Sequence, residues 1–93
     1  MIEGITKSGF KYKYDERILD DYSLVEAITA FDKSDNKMQQ VSALTNIIDL
    51  LLGDTKDDLM IHIAANNEGF RPLAAVYNEV FEIISASKDL KNS

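Results

Sequence analysis

Period-two alternation opens the chain. Ile2, Gly4 and Thr6 fall on one side of an extended segment and Glu3, Ile5 and Lys7 on the other, before Lys7-Ser8-Gly9 supplies a turn. Phe10, Tyr12 and Tyr14 then share one face while Lys11 and Lys13 take the opposite one. Two such runs around a glycine-containing turn predict a β-hairpin over 2–14. A lone two-stranded ribbon is marginal in water, so its aromatic face needs an apolar surface beneath it, from this chain or another.

After Asp15, a plausible helix-capping residue, the period lengthens to that of a helix. Ile18, Leu19, Tyr22, Leu24, Val25, Ile28 and Phe31 recur at three- and four-residue steps, with Asp20-Asp21-Tyr22-Ser23 marking a break between a short turn and a longer helix. The polar run from Phe31-Asp32 to Asp35-Asn36 stops that helix. Met38, Val41, Leu44, Ile48, Leu51 and Leu52 then define a stripe on a helix from about Asn36 to Leu52, closed by Gly53 as a left-handed cap. Apolar residues nearly encircle its last turns, which predicts that this helix is the centre of the fold. Thr55 with Asp57 and Asp58 starts another helix, with Leu59 and Ile63 on its inner side, and Asn66-Asn67-Glu68-Gly69 ends it. Pro72 opens the last helix, whose stripe runs through Leu73, Val76, Tyr77, Val80 and Ile84, with Phe81 and Ile83 partly off it.

These elements predict a mainly α protein: an N-terminal β-hairpin followed by a compact bundle of about four helices. The expected organisation is one domain over 1–93, with the hairpin at 2–14, the bundle at 15–87 and a frayed polar tail at 88–93.

Charge and composition narrow the function. Ten Lys and Arg against sixteen Asp and Glu give a net charge of −6, which repels a phosphate backbone. Nucleic acid is therefore not an expected partner, although the aromatic hairpin face with its interleaved lysines imitates a base-stacking platform. The absence of cysteine removes disulfides, thiol nucleophiles and thiolate metal sites together. No apolar run approaches ~18 residues and no basic segment leads into an apolar one at the start, so neither a membrane span nor a secretory signal is expected.

No signature of catalysis emerges. His62 stands without a second histidine one helical turn away and reads as an ordinary helix-surface or interface residue. The Asp32–Asn36 run imitates the start of a calcium loop, but Lys37 occupies the glycine position and Ala43 the bidentate glutamate position. Adjacent carboxylates at Asp20-Asp21 and Asp57-Asp58 diverge by about 100° on a helix and do not converge on one proton. No enzyme, cofactor or metal is expected from these residues.

Taken in order, Ser8-Gly9-Phe10-Lys11-Tyr12-Lys13-Tyr14-Asp15, Leu19-Asp20-Asp21-Tyr22, Leu51-Leu52-Gly53, Asn67-Glu68-Gly69-Phe70-Arg71-Pro72 and Glu79-Val80-Phe81-Glu82-Ile83-Ile84 resemble the small tail assembly chaperones of long-tailed bacteriophages of Gram-positive bacteria. The resemblance covers almost the full length. It implies a non-enzymatic, helical, non-virion protein of the host cytoplasm. Such a protein binds the aggregation-prone tape-measure protein and helps recruit tail-tube subunits, and many such families are made in two lengths by frameshifting.

A chaperone of this kind needs an apolar stripe for its client and a charged exterior that resists precipitation. The surplus apolar width of the last helix and the hairpin face nominate Phe10, Tyr12, Val76, Phe81, Ile83 and Ile84 as partner-facing residues, and self-association into a homo-oligomer is a secondary expectation. The competing reading is a small acidic phage protein that inhibits a host nucleic-acid-binding enzyme by charge mimicry. That reading requires Asp20, Asp21, Asp54, Asp57 and Asp58 to gather on one face.

Overall fold

The computed structural model describes residues 1–92, with side chains described through residue 86. Strands β1 (Ile2–Ile5) and β2 (Lys11–Tyr14) form an antiparallel hairpin in the register Ile2 to Tyr14 and Gly4 to Tyr12. A 3₁₀ turn (Glu16–Asp20) leads to α1 (Tyr22–Asp32), α2 (Lys37–Leu52), a second 3₁₀ turn (Gly53–Thr55), α3 (Lys56–Asn66) and α4 (Leu73–Asn92). The mainly α bundle behind an N-terminal hairpin is thus the fold of this chain. The expected boundary at 88 is corrected, since α4 continues through Asn92; side chains beyond residue 86, and Ser93 altogether, lie outside the described residues.

Local chemistry explains the boundaries. Asp15 accepts from the Arg17 amide and Asp21 from the Ser23 amide, so the first turn and α1 each begin on a carboxylate cap. Asn36 caps α2 by accepting from the Gln39 amide. Gly53 ends α2 at φ +52°, a conformation that a side chain resists. Thr55 differs from expectation: its hydroxyl donates back to the Leu52 carbonyl at 3.0 Å and caps nothing in α3.

In the hairpin turn, the Thr6 hydroxyl accepts from the Phe10 amide at 3.1 Å, and Thr6 is buried. Gly4 is needed for a different reason. A Cβ there would lie 2.6 Å from Tyr12 Cζ, because the Tyr12 ring crosses directly over the facing backbone.

The core joins the hairpin's aromatic face to all four helices. Phe10, Tyr12 and Tyr14 are buried with Leu24 of α1, Ile47 and Ile48 of α2, Leu59 and Ile63 of α3, and Val80 and Ile83 of α4. Two stripes differ from the sequence reading. On α1 the inner residues are Leu24 and Ala27, while Tyr22 and Val25 are exposed. On α2 burial begins only at Ala43, and Met38 and Val41 are exposed although their spacing continues the stripe.

Candidate functional site

The six residues nominated as partner-facing divide sharply. Phe10, Tyr12, Val76, Ile83 and Ile84 are buried, and Phe81 is half-buried. The exposed-strip assignment is therefore corrected for Phe10, Tyr12, Ile83 and Ile84, whereas Val76, itself buried, lines an apolar groove. Val76, Val80, Ile83 and Ile84 are spaced so that Ile83 sits at the centre of the α4 stripe, and the hairpin's aromatic face is consumed in covering the helices. Phe81 and Tyr77 instead mark the edge of that stripe, where they pack with Phe31 of α1. Ring centroids there are 5.2 Å apart for Phe31 and Tyr77, 5.5 Å for Phe31 and Phe81, and 4.8 Å for Tyr77 and Phe81.

Uncovered apolar surface lies beside this aromatic cluster. Leu44, Ile48 and Val76 line a groove of about 320 Å³ between α2, α3 and α4, with Val41, Met60 and Leu73 around them. Lys56 and Arg71 are its charged lining residues. Leu73 also lines a second groove of about 540 Å³, where Phe31, Ala74 and Tyr77 face Lys37 and Gln40. The two depressions therefore adjoin. Val41 is 49% exposed and Tyr77 39%, so the apolar stripes of α2 and α4 both emerge into solvent here. α3 ends at Asn66, and of the connection from Asn67 to Pro72, Arg71 reaches the lining of the first groove.

A second cluster ties the hairpin turn to α3 and α4. The Ser8 hydroxyl donates to Glu79 Oε1 and lies 2.9 Å from His62 Nε2, while the Asn66 amide nitrogen lies 3.1 Å from that same imidazole nitrogen. The Lys7 amide donates to Glu82 Oε2 at 2.8 Å. His62 also packs its ring on Phe10, 5.6 Å between centroids. Serine, histidine and glutamate thus meet, but in an order unlike a nucleophile, base and acid relay, where the carboxylate stands behind the imidazole. Here the carboxylate accepts the serine's own hydrogen bond, and the contact anchors the turn. Sequence reasoning missed this cluster because its members are 54 and 71 residues apart and share no motif spacing.

Acidic residues gather at one end. Ser23 and Glu26 of early α1 line a depression with Asp49 and Leu50 of late α2, so these helices run antiparallel. Asp20 and Asp21 precede α1, and Asp54, Asp57 and Asp58 follow α2, which brings these five exposed carboxylates to the same end of the bundle. Among the described residues no helix is long and apolar enough to cross a membrane, and no three His, Asp or Glu side chains are grouped to hold a metal ion.

Burial also perturbs two phenols. Tyr14 is pushed up to about 12, first by loss of solvent and then by neighbouring Tyr12, and its hydroxyl is buried with no hydrogen-bond partner among the described residues. Tyr12 is raised as well, by burial and then by the Glu82 carboxylate. In comparisons with known proteins, no family model matches the chain, and neither does any curated protein or solved structure.

Proposed function

We propose that this chain is a phage tail assembly chaperone that holds the tape-measure protein in solution through the adjoining grooves of α2, α3 and α4 and helps recruit tail-tube subunits. The observation that carries this reading is the pair of apolar grooves joined at Leu73, with Val41 and Tyr77 exposed in their linings. Exposed apolar surface arranged along helices is what a helical client needs, and the net charge of −6 keeps such a protein dispersed. The client surface in this reading is not the hairpin, whose aromatic side is occupied.

Co-expression with a tape-measure protein is the test. The chain is expected to move that client into the soluble fraction. A client that stays insoluble beside folded chain contradicts the proposal.

The gathering of carboxylates at the α1 and α3 starts supports a second reading, inhibition of a nucleic-acid-binding host enzyme by charge mimicry. Under it, replacing Asp54, Asp57 and Asp58 by Asn would abolish activity, whereas a chaperone working through the grooves would tolerate the change.

A further inference from the structure

We propose that the segment received by the α2–α3–α4 groove is an amphipathic helix whose apolar stripe is edged by acidic residues. The inference rests on the chaperone reading and adds the chemistry of the bound segment.

Charge distribution around the grooves is the first argument. The chain has sixteen acidic residues and ten basic ones, yet neither groove is lined by any carboxylate, and both are lined by cations: Lys56 and Arg71 in one, Lys37 in the other. Two other depressions do carry carboxylates, Glu26 and Asp49 in one, and Glu79 and Glu82 with Lys7 in the other. Lys56 is held at the rim by Asp49, 2.9 Å away. Arg71 and Lys37 make no ion pair among the described residues, so their charge is free for an incoming carboxylate. An acidic protein that concentrates cations around its open apolar surface selects a partner of opposite sign at that place.

Shape is the second argument. The lining comes from three helices and continues past Leu73 to the Phe31–Tyr77–Phe81 rings, giving an elongated apolar floor suited to side chains repeating at i, i+3, i+4 and i+7. An extended strand would seek the open edge of the hairpin instead, and no hairpin residue lines either groove.

The test uses two labelled helical peptides of about 16 residues, enough to span the length of α2, with one leucine stripe and either glutamate or lysine along its edges. Fluorescence anisotropy with the intact chain is expected to show about 10-fold tighter binding of the glutamate-edged peptide, with the difference shrinking at about 0.5 M salt. Arg71→Glu, exposed and therefore safe for folding, should erase that preference, and Lys37→Glu should weaken it. Equal affinity for both peptides, preference for the lysine-edged one, or binding of neither overturns the inference. So does a homodimer, seen by sedimentation, that closes the groove and is dispersed by Tyr77→Asp. The outcomes separate from those of the parent reading: a tape-measure protein kept soluble by the chain without charge preference sinks only the acidic-edge proposal.

Discussion

Phe10, Tyr12 and Tyr14 on the hairpin and Val41, Leu73 and Tyr77 on the helices obey equally clear periodicities, yet the first three are buried and the second three line open grooves. The difference lies in what covers each stripe. The hairpin is tethered to the bundle at both its turn and its face, through Ser8 and Lys7 on α4 and through three rings in the core. The start of α2 has no such cover: Met38 and Val41 are exposed, and burial on that helix begins at Ala43. Periodicity identifies which face is apolar; tertiary connection decides whether that face is satisfied within the chain.

The largest effect should separate the closed stripe from the open one. Ile83→Ala removes a fully buried side chain and is expected to cost about 2–5 kcal/mol, against about 0.5 kcal/mol or less for Val41→Ala, both read from urea unfolding midpoints. Similar costs at the two positions would dissolve the distinction between core and groove. Gly4→Ala forces the Tyr12 ring aside and is expected to destabilise by about 1–3 kcal/mol, with hairpin amides losing hydrogen-exchange protection first. A neutral substitution would mean that the ring does not press on β1.

Ser8→Ala should cost less, about 0.5–1.5 kcal/mol, since it removes an exposed link between the turn and α4 while the aromatic face stays packed. A further effect concerns protons and emerges only at alkaline pH. Because the folded state holds the Tyr14 proton up to about 12, against an ordinary value of 10.0, this contribution to stability is complete below pH 10 and is lost as pH rises toward 12. Tyr14→Phe should flatten that alkaline loss, measured as unfolding midpoint against pH, and should cost little at neutral pH, since the buried hydroxyl it deletes has no partner.

Much of the fold was legible in the sequence for physical reasons. Asp15, Asp21, Asn36, Gly53 and Pro72 are local devices whose action depends only on neighbouring backbone, and each stands at an element boundary as read. The hairpin and the buried face of its second strand, Phe10, Tyr12 and Tyr14, followed from alternation alone. The candidate site was legible in kind and misplaced in position. Surplus apolar width on α4 was visible, but Ile83 lies at the stripe's centre and Tyr77 at its rim, a distinction set by how α4 rotates against α1 and α2. Met38 and Val41 match the spacing of buried Leu44 and Ile48 yet are exposed, a difference set by tertiary packing and not by period. The Ser8, His62 and Glu79 contact had no local signal at all.

Hydrogen exchange of the intact chain with and without its tape-measure client tests the central claim most directly. Protection gained at residues 37–41 and 73–77, with the amides of 2–14 unchanged, is the expected footprint of a client seated on the helices. A footprint confined to the hairpin, or none at all in a complex that demonstrably forms, would contradict it.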